Sequence, residues 1–381
     1  MIHPNRPIQA DKAAKVLVYL FGSLGDTLVA IPALRAVRRH FQNAEIVLLQ
    51  NVEPGNIVKA SEVIPENLVN RYFNYSSNSG KISRFSSFLR LWRRLRDERF
   101  QAVIYLVISE RPARAVFRDR FFFRSCGIRK LIGFRPFSKD ELYPRDAWQR
   151  PALTENEAVR KLHRLEFDGV EVLPDEDLRQ PLLKFSAEET EKTVRWLAGH
   201  RKKPDSRLIA IAPGCKTQAN IWPLENFIDI GSRLIAGENC ELIVVGGKAE
   251  HEMGEKMISA WGEGFNAAGE FSVRESGALL AACDFYIGLD TGTTHLSAAV
   301  GTPCFAIYGE RNNPGHWYPL GSSHSIVFHP VACAGCRFHV CPLPDHPCMT
   351  GISADSVWEN LMAFIQHLRR PESEKVKIQI T

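Results

Sequence analysis

Lys15–Phe21 (KVLVYLF) is an apolar, β-branched run that stops at Gly22, and the strand-to-helix turn at its end limits the folds open to this chain more than any other feature. Gly22-Ser23-Leu24-Gly25-Asp26 makes that turn a tight one. Apolar residues then recur at Leu28, Ile31, Leu34, Val37 and Phe41, close to helical spacing over Asp26–Phe41. Arg38, Arg39 and His40 fall in the last turn, where cations favour the helix dipole. Glu45–Gln50 (EIVLLQ) is a second apolar run. Strand, glycine turn, helix and strand in that order predict a parallel sheet with a right-handed crossover.

The same alternation continues. Arg84–Arg99 reads as a basic helix, Ala102–Ile108 as a strand, Lys130–Gly133 as a short strand and Asn156–Phe167 as a helix. Around Glu171–Lys184 two prolines and an acidic run break the pattern and read as a linker. Beyond it come strands at Leu208–Ile211, Glu241–Val245, Phe285–Gly288 and Cys304–Tyr308, with helices between them. The fold class expected is α/β: two Rossmann-like, doubly wound parallel-sheet domains, 1–180 and 181–381, with a cleft between them.

Composition removes several function classes. With 381 residues, 45% hydrophobic and 24% charged, the chain is neither disordered nor collagen-like. Nine cysteines are too few for a disulfide scaffold of this length. No apolar run is long enough for a membrane span, and MIHPNRPIQADKAAK lacks the core of a secretory signal, so a cytoplasmic, reduced protein is expected. Charge is uneven. Residues 1–180 carry 30 Lys+Arg against 21 Asp+Glu, whereas the remainder is net acidic. A basic first half suits an acidic partner, or simply solvates helix faces.

Ligands of open α/β sheets bind beyond the carboxyl ends of strands, so the turns there are the candidates. Asp26 either caps a helix or stands as a carboxylate that takes a proton from a nucleophile. The turn is not GxGxxG, which argues against a dinucleotide site. Leu289-Asp290-Thr291-Gly292-Thr293-Thr294-His295 follows a strand and opens a helix, an arrangement that can cradle phosphate. His295 could contact that phosphate or only pack. Lys216, in Pro213-Gly214-Cys215-Lys216-Thr217, could hold phosphate as a point charge or be solvated. Glu250, after Gly246-Gly247, could accept ribose hydroxyls or serve as a first-turn glutamate. Together these loops suggest one nucleotide-type ligand in the second half.

The opening KVLVYLFGSLGDTLVAIPALRAVRRHFQNAEIVLL resembles the N-terminal signature of glycosyltransferase family 9, the lipopolysaccharide heptosyltransferases. IAIAPGCKTQANIWPLENF, ELIVVGGKAEHE and YIGLDTGTTHLSAAVGTPCFAIYG resemble its C-terminal domain, in the family's order, and the resemblance spans roughly residues 15–365. It implies a GT-B fold whose second domain binds a nucleotide sugar, typically ADP-heptose. The first domain would receive a phosphorylated lipopolysaccharide core, and a final helix near Asp355–Leu368 would cross back to it. The implied reaction is inverting and needs no cofactor. Asp26 matches the catalytic base. Asp290, Thr291, Gly292 and His295 match the donor-binding motif and Glu250 falls where the family contacts the ribose; Lys216 and Thr293, from the residues alone, are further expected donor contacts. Ser23, Gly25, Arg111 and Arg114 are the expected acceptor contacts.

A basic first domain also suits an anionic membrane surface, approached from the cytoplasmic face. Arg84, Arg90, Arg93, Arg94 and Arg96 form one basic stretch. Arg111, Arg114, Arg118, Arg120 and Arg124 form another, around Phe121-Phe122-Phe123, which reads as a buried segment or a membrane-touching patch. One departure stands out. Where the family commonly has a lysine two residues before Trp222-Pro223, this chain has Asn220, and a cation near the donor phosphates is lost.

Four cysteines fall within sixteen residues: Cys333, Cys336, Cys341 and Cys348, with His339 and His346 nearby. Their spacing admits a structural Zn or Fe ion, free thiols or disulfides, and fits no standard zinc ribbon. The leading expectation is thus a heptosyltransferase. A GT-B enzyme with another nucleotide sugar, or with a protein or surface-glycan acceptor, is the alternative. A nucleic-acid module with a metal knuckle is remote, because the cysteines lie in the acidic half, and no nucleic acid is expected as partner.

Overall fold

A computed structural model describes residues 15–52, 58–76 and 81–369, the side chains of 81–85 excepted. The stretch read for a secretory signal (Lys15 apart) and the side chain of Arg84 lie outside the described residues. The chain divides into two units. One comprises Met1–Leu142 and Glu155–Leu182; the other comprises Tyr143–Thr154 and Leu183–Thr381.

The first unit holds a five-stranded sheet: β1 (Lys15–Leu20), β2 (Glu45–Asn51), β3 (Arg71–Tyr75), β4 (Ala102–Tyr105) and β5 (Lys130–Ile132). Their order is β3-β2-β1-β4-β5 and every pairing is parallel. Val16–Leu20 are buried because helices cover both faces, as an all-parallel sheet requires. The winding reverses between β1 and β4, which sets a switch point at their carboxyl ends. β3 (RYFNY) escapes a hydrophobic reading: at this edge only Phe73 is fully buried, and Arg71 pairs with Glu45 and Glu98. The single helix expected over Asp26–Phe41 is two, Leu24–Leu28 and Ile31–His40. Pro32 explains the break: it has no N–H to give and crowds the carbonyl of residue 28.

The second unit holds six parallel strands: β6 (Arg207–Ala212), β7 (Cys240–Val244), β8 (Phe265–Asn266), β9 (Phe285–Leu289), β10 (Cys304–Ile307) and β11 (Ser325–Val327). Their order is β11-β10-β9-β6-β7-β8, and the switch point lies between β6 and β9. Helix Leu224–Gly237 packs Phe227, Ile230 and Leu234 on this sheet. Helix Ala354–Arg369, expected to return to the first domain, buries Val357, Leu361, Phe364 and Ile365 in the second unit's own core.

Two segments differ from the sequence reading. The boundary between the units falls within Glu171–Lys184, the segment read as a linker, but residues 171–182 of it are bound into the first unit: Arg39 pairs with the buried Asp177 at 2.8 Å, and Arg35 donates to the carbonyls of Asp177, Arg179 and Pro181. Tyr143–Thr154 belongs to the second unit. Thr154 donates to the Pro314 carbonyl and the Asn313 amide to those of Pro144 and Ala152, while Arg337 lies 4.0 Å over the Tyr143 ring. Backbone carbonyls supply most of this, and they leave no trace in a side-chain pattern.

Candidate active site

In the first unit the turn after β1 carries Asp26. Gly22 has φ +142°, and a Cβ there would fall 2.3 Å from the Asp26 carboxyl carbon. Glycine is therefore required for the carboxylate to fold back over the strand end. Ser23 holds it: its backbone N–H donates to Asp26 Oδ2 at 2.7 Å and its hydroxyl to the same oxygen at 2.9 Å. Ser23, not Asp26, stands at the N-cap, and Asp26 is the third helical residue. Among the described residues both bonds fall on Oδ2, so Oδ1 is left to receive a proton. Burial raises the Asp26 pKa above the ordinary carboxylate value, against the pull of the Ser23 bonds and the positive charge of Lys161. A carboxylate with raised proton affinity is a better general base.

Lys161 belongs to a cluster that the sequence reading missed. Glu157, Arg160, Lys161 and Arg164 lie on helix Glu157–Phe167 at spacings i, i+3, i+4 and i+7, and all four are buried. Lys161 Nζ sits 2.6 Å from Glu157 Oε1. Glu157 also accepts from the Ser109 N–H at 2.8 Å and hydroxyl at 2.5 Å, in the segment that leaves β4. Arg160 donates to Ser109 Oγ, and Arg164 to the Val107 carbonyl. Four charges on the core stripe of one helix were the available signal.

Of the expected acceptor residues, Arg111 lies beside the Asp26 turn, its guanidinium 5.4 Å from the centre of the Phe21 ring. Ser23 is exposed and Gly25 buried within the Asp26 turn. Arg111 pairs with Asp119 at 3.0 Å, and Arg118 meets the other oxygen of Asp119 at 2.7 Å. Arg114 is exposed on helix Ala113–Ser125. Phe121, Phe122 and Phe123 lie on that helix and differ from one another: Phe123 is buried, whereas Phe121 is 77% exposed.

In the second unit the turns after β6, β7 and β9 come together. Asp290 lies just beyond β9, and its carboxylate accepts from the Asn220 amide at 3.0 Å, while Cys215 Sγ donates to its carbonyl at 3.3 Å. A Cβ on Gly214 would fall 2.3 Å from Glu250 Cγ, so glycine there lets Glu250 lie against the β6 turn. The Gly247 N–H fixes Glu250 at 2.7 Å. Thr291 stands at the N-cap position of helix Gly292–Ala299 without a side-chain capping bond, and the helix's first N–H groups, those of Gly292 and Thr293, have no intrahelical acceptor. Thr294 is buried and donates to the Leu289 carbonyl.

Burial pushes the Asp290 pKa up to about 6, against the charge of Arg311 and the Asn220 bond. Asn220, at the position where a lysine was expected, thus supplies a hydrogen bond in place of a charge. Lys216 is exposed. The cation that acts on Asp290 is Arg311, anchored to the Phe338 and Arg337 carbonyls at 2.8 and 3.1 Å. It follows β10 in the segment Glu310–Arg311, where the strand-end rule would have found it. His295 packs 6.1 Å from Trp317, and burial lowers its pKa to about 4, so it is neutral at physiological pH.

The structural metal considered for Cys333, Cys336, Cys341 and Cys348 is not supported. Cys333 is exposed, Cys348 is buried at the start of a short helix, and the His346 ring engages the Ala219 carbonyl at 3.1 Å. Among the described residues no three His, Cys, Asp or Glu side chains are grouped to hold an ion. Nor, among them, is any helix long and apolar enough to cross a membrane.

The chain is 26% identical over 248 residues to lipopolysaccharide heptosyltransferase 2 of Salmonella typhimurium, covering 62% of this chain and 68% of that protein. It is 23% identical over 368 residues to lipooligosaccharide heptosyltransferase 2 of Campylobacter jejuni, covering 93% and 99%. The solved structure of Escherichia coli ADP-heptose lipopolysaccharide heptosyltransferase II matches its fold with a TM-score of 0.65 at 19% identity, over 93% of this chain and all of that one. The two Rossmann-like units are those of the GT-B fold. The model of glycosyltransferase family 9 (heptosyltransferase) matches residues 88–346, more than half of the sequence. On that match, with Asp26 at the end of β1 and Asp290 at the end of β9, the chain belongs to glycosyltransferase family 9.

Proposed function

We propose that this enzyme transfers heptose from ADP-heptose to a phosphorylated inner-core sugar of lipopolysaccharide, with Asp26 as general base. The observation that carries the chemistry is the Asp26 carboxylate: turned back over a strand end, held through one oxygen by Ser23, and raised in proton affinity by burial. A sugar hydroxyl is a weak nucleophile until a carboxylate removes its proton in the transition state, help worth roughly 10²–10⁴-fold. Attack on the anomeric carbon forms the new glycosidic bond as the bond to the diphosphate breaks, which inverts the centre. The proton passes to Asp26 and ADP leaves.

The charge that develops on ADP needs donors already in position. The N–H groups of Gly292 and Thr293 at a helix N-terminus, together with Arg311, provide them, and Lys216 is free to swing in as a solvated cation. Glu250 is the proposed ribose contact and Asp290 the proposed acceptor for a donor-sugar hydroxyl. Neutral His295 would serve as hydrogen-bond donor or wall rather than as a charge. Arg111 and Arg114 are the proposed contacts to acceptor phosphate, with Ser23 and Gly25 lining the nucleophile's approach. No cofactor enters the reaction. The proposed setting is the cytoplasmic membrane surface, which the exposed Arg114, Arg118, Arg120 and Arg124 suit by charge.

The test is transfer to heptose-deficient lipopolysaccharide, with ADP-, GDP- and UDP-sugars as donors and the product anomer read by NMR. ADP-heptose should be used and inverted. Selective use of another nucleotide sugar would overturn the donor assignment.

A further inference from the structure

A cavity of about 1100 Å³ lies in the first unit. That is at or above the roughly 300–1,000 Å³ of ordinary small-molecule pockets. Its floor is the carboxyl ends of three strands, through Tyr19 and Phe21, Leu49 and Tyr75. Phe21 immediately precedes the turn that carries Asp26, so the cavity opens at the ligand end of the sheet. Its walls are helices Lys81–Asp97 and Ala113–Ser125, tied by Trp92 Nε1 to Ser125 Oγ at 3.0 Å and by the Phe88 and Phe122 rings, 4.9 Å apart.

Two features say what it takes. Much of the lining is aromatic and aliphatic, which suits neither a nucleotide nor a bare sugar. Its charge is gathered in one place, where Arg111 and Arg118 share the single carboxylate of Asp119, itself held by the Tyr105 hydroxyl at 2.9 Å. Two guanidiniums against one carboxylate leave a net positive charge, and the buried Nε of Arg111 has no hydrogen-bond partner among the described residues. At the rim Phe88 is 52% exposed and Phe121 77%. An apolar chamber with one cationic cluster and exposed rings at its rim fits an anionic amphiphile whose tail enters.

We propose that this cavity binds an acyl chain of the phosphorylated glycolipid acceptor, with Arg111 and Arg118 facing its phosphate. The proposal rests on the acceptor assignment of the proposed reaction and extends it from the sugar to the lipid.

Calorimetry of the full chain with octyl, decyl and dodecyl phosphate, each below its micelle concentration, reads the cavity without any transfer. Each added CH₂ should tighten binding about threefold to fourfold. Inorganic phosphate and dodecyltrimethylammonium should bind at least tenfold more weakly than dodecyl phosphate. Leu89→Trp, which narrows the chamber at a lining position, should weaken dodecyl phosphate at least tenfold. Binding that ignores chain length, or is as strong for the cationic amphiphile, overturns the proposal; the series on the unmodified chain stands even if the variant folds poorly. The source of the chain is read from KM for acylated against deacylated acceptor. That ratio should favour the acylated form at least tenfold and fall toward one in Leu89→Trp; a ratio near one in the unmodified enzyme overturns the glycolipid as source. Absence of heptose transfer with the chain-length series intact would refute the acceptor reading and leave the cavity's chemistry standing.

Discussion

Gly22→Ala is the smallest change that should disable the enzyme while leaving donor binding alone. The residue sits at φ +142°, a region that side-chain-bearing residues rarely enter, and its new Cβ would lie 2.3 Å from the Asp26 carboxyl carbon, against about 3.4 Å for ordinary contact. About 1 Å of displacement is therefore forced. The obstacle is the carboxylate itself, and it cannot rotate away without losing two hydrogen bonds from Ser23. Backbone strain of this kind costs about 1–3 kcal/mol. A misplacement near 1 Å at a reacting group costs roughly 10²-fold in rate. The expected outcome is a kcat lowered about 10²-fold in a steady-state transfer assay, with the Kd for ADP-heptose within twofold of the parent because the donor turns lie in the second unit. A Gly22→Ala enzyme that keeps kcat within twofold would refute the geometric argument for Asp26.

Three further outcomes rest on the same geometry. Lys161→Met should destabilise the fold by about 3–5 kcal/mol in urea unfolding, because it removes the positive partner of the buried Glu157 carboxylate, and adding Glu157→Gln should recover much of the loss. Since Lys161 lowers the Asp26 pKa, any folded Lys161→Met enzyme should also show its acidic rate limb shifted to higher pH. Asp290 has a folded pKa near 6, above its unfolded value, so the native state holds its proton longer and stability falls as pH rises from about 4 to about 6, by about 1.4 kcal/mol per unit. Asp290→Asn should flatten that slope when unfolding is compared at pH 4.5 and 7. Trp222→Phe removes the indole donor to the buried Ile352 carbonyl at 2.8 Å and should cost about 1–3 kcal/mol by the same measurement.

The parts of the fold that are legible in the sequence are those where burial is two-sided and continuous. β1, β2, β6, β7 and β9 read as strands because both faces are covered and the apolar run is unbroken. β3, β8 and β11 do not: two are three residues or shorter, and β3 at its edge fully buries Phe73 alone. The break after Leu28 is signalled by Pro32 alone, inside an apolar pattern that otherwise runs on at helical spacing. At the candidate site the strand-end rule finds the turns, and Asp26, Glu250 and Asp290 all stand in them. The residues around them escape it, because their placing depends on contacts distant in sequence. Asn220 reaches Asp290 across 70 positions and the Glu157 carboxylate reaches Ser109 across 48. The cysteine spacing admits an ion, yet among the described residues no three metal-binding side chains are grouped to hold one.

The central claim is that Asp26 performs the chemistry and does not hold the donor. Asp26→Asn keeps the size of the side chain and an oxygen for Ser23 to donate to, and removes only the capacity to take a proton. Paired measurements of single-turnover heptose transfer and of ADP-heptose binding by calorimetry decide it. Transfer should fall at least 10²-fold while the Kd for ADP-heptose stays within about twofold. Transfer within a few-fold of the parent enzyme would contradict the assignment of Asp26 as base. A Kd weakened in step with the rate would instead place Asp26 among the donor contacts.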